Sequence, residues 1–169
     1  GTGSQPAGAP GGGAAGAVVG AAAAGGAGGL GTLYKLTTGG THTVLINFTG
    51  TSGSSPGAIP RGGVTVGADG GFYGTTSAGG PGNQGIAFRI TAAGAYSKLA
   101  SFSPSLGWMP SGAPVVEASG SLLFPMAAGG AGGQQHTAPR CGARGGAALP
   151  GVALRGDPRL CGIQHGAAE

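Results

Sequence analysis

The chain has 169 residues, 43 of them glycine and 12 proline, a share of breaker residues that means low complexity unless it recurs with a period. Eight Lys and Arg stand against four Asp and Glu, for a net charge of +4. The positive residues are scattered from Lys35 to Arg159 rather than gathered on one stripe, so no phosphate-tracking surface and no nucleic-acid partner is expected.

Residues 1–15 are Gly- and Pro-rich, lack apolar alternation, and are expected to be disordered. The chain begins at Gly1 and its methionines are Met109 and Met126, so the natural start is expected upstream and a leader peptide is left open. The uncharged stretch Gly11–Gly31, GGGAAGAVVGAAAAGGAGGLG, is nearly all Gly and Ala. It is too poor in large apolar residues to insert in a bilayer, and no membrane span is expected.

A repeat explains that stretch better. Moving the chain by 54 positions (70 − 16) lays GAVVGAAAAGGAGGLGTLYKLTTGG, from Gly16, on GGFYGTTSAGGPGNQGIAFRITAAG, from Gly70. Tyr34 then meets Phe88, Lys35 meets Arg89, Leu36 meets Ile90, Phe48 meets Phe102 and Pro56 meets Pro110. A third copy places Gly120–Gly130 on Gly70–Gly80, at an offset of 50 (120 − 70). The four-residue difference is assigned to an insertion near Arg61–Gly63 of the middle copy. The tandem region is 16–133, in copies 16–56, 57–110 and 111–133, the last partial. Residues 134–169 are expected to be an unstructured Arg/Gly/Ala-rich tail, either a different segment or sequence read out of frame, and order is expected to concentrate in Gly31–Met126.

Within the middle copy four runs have strand character: Val64–Ala68, Phe72–Thr76, Gly85–Thr91 and Ala95–Phe102. Ile86, Phe88 and Ile90 alternate with Ala87, Arg89 and Thr91, which buries Phe88 and turns Arg89 outward. Thr32, Tyr34 and Leu36 are expected to be buried in the same way, with Lys35 outside. Asp69-Gly70 is a hairpin signal. Four strands in about 50 residues is the size of one propeller blade, so the fold expected is all-β, with propeller-like blades in an incomplete ring and a β-solenoid as the alternative. Fewer than three blades leave faces and edges open, and self-association is expected.

The run DGGFYGTTSAGGPGNQGIAFRIT resembles the GloVer tandem repeat of bacterial choice-of-anchor proteins, whose approximate form is DG-x-LYGTT-xx-GG-xxx-GTVFK/R. The matching positions are Asp69, Gly70, Tyr73, Gly74, Thr75, Thr76, Gly79, Gly80, Gly85, Phe88 and Arg89. The first copy matches only from Gly25, and the third lacks Tyr and Thr-Thr. The resemblance implies a secreted or surface-anchored protein with propeller-like repeats. It implies no catalytic activity and offers no catalytic residues.

The remaining motifs read as structure. Gly26/Gly28/Gly31 and Gly80/Gly82/Gly85 fit G-x-G-x-x-G, yet both lead into strands rather than into the helix that a dinucleotide needs. Gly53–Gly57 fits G-x-S-x-G, but GAIPRGG cannot open a helix after it. Asn47-Phe48-Thr49 is a sequon whose repeat-mate is Ser101-Phe102-Ser103, so strand-end chemistry is the better account. Asp69 and Glu117 are the acids of the repeat region, and Asp69 holds a turn slot filled by Ala15 and Ser119 in the other copies. Trp108 is either a sugar-stacking surface or blade packing. Cys141, Cys161, His42, His136 and His165 lack metal spacing.

No catalytic, cofactor-binding or metal-ligating residue and no cofactor is therefore expected. The leading expectation is a non-catalytic, extracytoplasmic repeat module with a structural or binding role at the cell surface. Its partners would be protein or polysaccharide. The alternatives are a fragment of a propeller-based polysaccharide hydrolase or lyase, and a disordered surface segment.

Overall fold

The computed structural model describes residues 3–13, 16–104, 107–117 and 121–128, together with the backbone of strands 152–157 and 160–165. The first blade is β1 (Gly3–Gly12), β2 (Val18–Gly25), β3 (Thr32–Leu36) and β4 (His42–Asn47), paired in that order. The second is β5 (Val64–Val66), β6 (Phe72–Thr76), β7 (Ile86–Ile90) and β8 (Tyr96–Ser101), again in chain order. A third region holds β9 (Trp108–Pro110), β10 (Val115–Val116), β11 (Ser121–Phe124) and β12 (Met126–Ala128). The chain ends with β13 (Val152–Asp157) and β14 (Leu160–His165). Every strand pair is antiparallel, which fits propeller blades and not the parallel coils of a solenoid.

The repeat is reproduced bond by bond. β7 and β8 lie 54 positions after β3 and β4 at both ends (86 − 32, 101 − 47). A bulge after Leu33 in the first blade recurs after Ala87 in the second. In the β3–β4 turn the Thr41 amide donates to the Thr37 hydroxyl at 3.1 Å, and the Ala95 amide donates to Thr91 at the same distance. Gly31 donates to the Gly25 carbonyl at 3.0 Å, and Gly85 to Gly79 at 3.1 Å.

Blades stack through alternate faces. Val19, Ala21, Leu33, Ile46 and Phe48 of the first blade and its exit pack on Phe72, Ile86, Phe88 and Ile90 of the second. The other face of the second blade, with Tyr73 and Ala87, packs on Leu122, Phe124 and Met126 of the third. The inner strand β5 lies between β1 and β10. There the Thr65 hydroxyl donates to the Pro114 carbonyl at 2.6 Å.

Four differences from the sequence-based expectations have physical causes. First, Gly3–Gly12, inside the segment expected to be disordered, is a strand paired with β2. Its two prolines are tolerated because it is the edge strand of its sheet, where a missing N–H breaks no ladder.

Second, the insertion of the middle copy lies before Pro60, in the loop that follows Phe48, and not near Arg61–Gly63. Gln5, Ile59 and Met109 have φ of 56°, 54° and 53°, and each precedes a proline, so Pro60 and not Pro56 is the mate of Pro110. The bridges agree: Ser4 pairs Ala24, Ala58 pairs Ala78 and Trp108 pairs Ala128, at the same offsets of 54 and 50.

Third, Tyr34 is half-buried and Leu36 is 36% exposed, while their mates Phe88 and Ile90 are 1% and 0% exposed. Thr32 on the same face is buried as expected, and Lys35, expected outside, is half-buried. The cause is the stacking order, since among the described residues no blade covers the Tyr34–Leu36 end of that face. Fourth, the tail backbone forms the β13–β14 hairpin, and β14 pairs with β11. Main-chain pairing to an open strand edge needs no apolar alternation in the incoming strand. The resulting order β10-β11-β14-β13 differs from the chain-order meander of the other two blades.

Candidate functional site

The densest polar cluster of the described residues sits on the β5–β6 turn. Gly67 donates to the Gly71 carbonyl at 2.8 Å, and the turn holds Asp69 beside the start of β6. The Asp69 carboxylate accepts from the Gly71 amide at 3.0 Å and from the Tyr73 hydroxyl at 2.9 Å. It also accepts from Arg89 Nε at 2.9 Å and Nη2 at 2.7 Å. Tyr73 and Arg89 are cross-strand partners, so sheet register delivers both to the same carboxylate. The Arg89 guanidinium carbon lies 6.0 Å from the centre of the Tyr73 ring.

Electrostatics follow from this geometry. Partial burial pushes the Asp69 pKa up, but the Gly71, Arg89 and Tyr73 hydrogen bonds and the Arg89 charge outweigh it, leaving the carboxyl below its ordinary value. Burial, then the hydrogen bond to Asp69, raises Tyr73. Hydrogen bonding to Asp69 holds Arg89 above its usual value. A carboxylate with four donors on it is stabilised as an anion and is a weak base, so the trio suits bracing rather than proton transfer. Arg89, expected to face solvent, is 27% exposed and engaged in this brace.

The other sequence motifs are brought together in no common site. Both G-x-G-x-x-G strings lead into strands β3 and β7, with positive φ at Gly26, Gly31, Gly80 and Gly85. Ser55 of the G-x-S-x-G string is buried, and its carbonyl accepts from the Thr49 amide at 3.0 Å. The next carbonyl, of Pro56, accepts from the Tyr96 hydroxyl at 2.6 Å, which ties that loop to β8. Burial pushes the Tyr96 hydroxyl far above its ordinary pKa. Asn47 latches a loop, its side-chain oxygen accepting from the Ala27 amide at 3.1 Å. His42 stacks on Tyr34 at 5.0 Å between ring centres. Trp108 is 36% exposed on β9.

Among the described residues no group of three or more His, Cys, Asp or Glu is placed to hold a metal ion. Cys141 and His136 lie outside the described residues, and of Cys161 and His165 only the backbone is described. No described helix is long and apolar enough to cross a membrane.

The surface that does stand out is apolar. On the uncovered face of the first blade, Tyr34 lies over Gly20, where a Cβ would come within 2.6 Å of the ring. The same cross-strand pair recurs as Gly74 under Phe88, there inside the core. At the far end of the stack Val115 is 52% exposed. Sequence reasoning expects open blade faces but not that Tyr34 lies on one, because Tyr34 and Phe88 carry the same signal and only the neighbouring blade tells them apart.

No family model matches the chain, and no curated protein matches it. Among solved structures, it is similar to selenomethionine-substituted virginiamycin B lyase from Staphylococcus aureus, at 19% identity and a TM-score of 0.48. That likeness covers 70% of this chain and 33% of the other, so the chain spans about a third of that protein. At this level the likeness carries no argument.

Proposed function

We propose that the chain is a non-catalytic repeat module that works outside the cytoplasm, with a structural or binding role at a bacterial cell surface. The observation that carries this reading is how the best-formed copy uses its side chains. Its acid, Asp69, accepts four hydrogen bonds within the blade, and its large apolar residues go to blade-to-blade faces. That arrangement favours a scaffold that presents surface. The resemblance of residues 69–89 to the GloVer repeat supports the exported, anchored setting. Protein or polysaccharide at the surface is the partner class that suits the uncovered apolar faces and exposed Trp108.

Two measurements test the proposal. Antibody raised against the chain is expected to label intact cells of the source bacterium as strongly as permeabilised ones. Labelling only after permeabilisation overturns the location. Incubation with a panel of polysaccharides is expected to leave their chain lengths unchanged, and any enzyme-dependent cleavage overturns the non-catalytic reading.

A further inference from the structure

Asp69-Gly70 is the one Asp-Gly or Asn-Gly step in the sequence. Such a step can rearrange its own backbone, because glycine has no side chain to keep its amide nitrogen from the carboxyl beside it. The Gly70 nitrogen bonds to Cγ of Asp69 and gives up its proton, while the protonated carboxyl loses one oxygen as water, which closes a succinimide ring. Water then adds to that ring. Where it adds at the main-chain carbonyl of Asp69, the original bond to Gly70 breaks and the chain runs on through Cγ. The α-carboxylate is left as the side group, and the residue has become isoaspartate. Nothing is oxidised or reduced, and the water lost in the first step returns in the second.

The structure holds both reacting groups off this path. The Gly70 amide donates to the Gly67 carbonyl at 3.0 Å, so the attacking nitrogen is already engaged within the turn. Asp69 Oδ1 accepts from the Gly71 amide at 3.0 Å. Oδ2 accepts from the Tyr73 hydroxyl at 2.9 Å and from Arg89 Nε and Nη2 at 2.9 and 2.7 Å. The carboxylate must leave these donors and take up a proton before an oxygen can depart as water. Burial favours that proton, but the bonds from Gly71, Arg89 and Tyr73 outweigh it and keep the group ionised. Otherwise the step is open to reaction: Gly70 has empty space where a side chain would stand, and the Asp69 side chain is 43% exposed to water.

We propose that Asp69-Gly70 is a latent site of isoaspartate formation, and that Tyr73 and Arg89 are positioning residues that set its rate by holding the carboxylate on its donors. Conversion inserts a methylene into the backbone of the turn and withdraws the carboxylate from Gly71, Tyr73 and Arg89 together, so the brace does not re-form on refolding. This inference rests on the geometry of the brace and not on the cell-surface reading, so the two fail independently.

Ageing the whole chain at fixed pH and temperature tests it. Isoaspartate at position 69 is read by chromatographic separation and fragmentation of the peptide that bears it, against a synthetic GADGGFY peptide (residues 67–73) aged alongside. Wild type is expected to convert at least roughly tenfold more slowly than the peptide, since opening a charge-assisted bond slows the step by about one power of ten. Tyr73→Phe and Arg89→Gln are each expected to convert several-fold faster than wild type, with far-UV circular dichroism unchanged. Tyr96→Phe removes a hydrogen bond from the edge strand β8 of the same blade and is expected to age at the wild-type rate, which separates loss of the brace from loss of stability. Should Arg89→Gln misfold, Tyr73→Phe, which keeps its ring, carries the comparison. A wild type that ages as fast as the peptide overturns the proposal. So do a Tyr73→Phe that ages no faster than wild type and a Tyr96→Phe that matches the brace variants.

Discussion

Replacing Gly74 and Gly20 with alanine, one at a time, measures what the covering blade does. Both glycines lie beneath an aromatic on the next strand, and neither has a positive φ, so alanine strains no backbone dihedral at either. At Gly74 the new methyl overlaps the tip of the Phe88 ring and comes within 3.0 Å of its flanking carbons. Restoring ordinary carbon–carbon contact requires the ring to retreat by about 1 Å. It has nowhere to go, being 1% exposed and held by Phe48 at 5.5 Å and Tyr96 at 6.0 Å between ring centres. Overpacking of this kind costs about 1–3 kcal/mol. The stiffer unfolded chain returns about 0.4–1 kcal/mol, for a net loss of about 0–2.6 kcal/mol. At Gly20 the overlap with Tyr34 is similar, but Tyr34 borders solvent and can swing out, so the same substitution is expected to cost nothing or to stabilise slightly. Chemical denaturation at a concentration where the chain is monomeric reads both. Equal losses, or a larger one at Gly20, would refute the claim that the first face is uncovered.

Phe88→Ala empties a true core site and is expected to cost about 3–5 kcal/mol in thermal melts, against about 0.5 kcal/mol or less for Lys98→Ala, exposed on the edge strand β8. Asp69→Asn is expected to lose about 0.2–1 kcal/mol at neutral pH, small because the ion pair is 27% and 43% exposed. The folded Asp69 pKa lies below the ordinary 3.8, so this contribution is present above that value and is lost as pH falls through the lower folded one. Acid melts of wild type should therefore converge on those of the variant below about pH 3.8. Tyr96 has a raised pKa, so its contribution is complete below the ordinary 10.0 and is lost as pH rises above it. Tyr96→Phe removes the bond to Pro56, costs about 0.5–1.5 kcal/mol near neutrality, and should flatten the alkaline limb of the stability profile. Thr65→Val leaves the buried Pro114 carbonyl without its donor and is expected to cost about 1–3 kcal/mol by denaturant titration.

The strands legible in the sequence are those whose partners share the repeat. β7 and β8 fall within a residue of the expected runs because apolar alternation and flanking Gly or Thr turns mark both ends. β1 carries no such signal: GSQPAGAPGG alternates nothing, and its order comes from pairing with β2. The insertion was misplaced because Pro56 and Pro60 both satisfy a proline match. What separates them is a backbone angle, φ near 55°, repeated at Gln5, Ile59 and Met109. The spacing of a glycine two positions after each true mate (Gly8, Gly62, Gly112) was the sequence trace of that angle. The Asp69 brace was legible as a local turn role, but its reach to Arg89 depends on cross-strand register. That blade faces stay open was legible, but not that Tyr34 lies on one, because burial of Tyr34 is decided by a neighbour and not by its own strand.

Adjacent residues of one strand answer to different neighbours. Ala87 belongs to the contact with the third blade, and Phe88, next in the chain, to the contact with the first. Substitutions at Phe88 are therefore expected to couple with those at Phe48, forty residues away (88 − 48), whose ring it meets at 5.5 Å between centres. Selection can tune one junction of the array without disturbing the next. A copy can drift as far as the first and third have done, provided that each face still suits the single blade it meets.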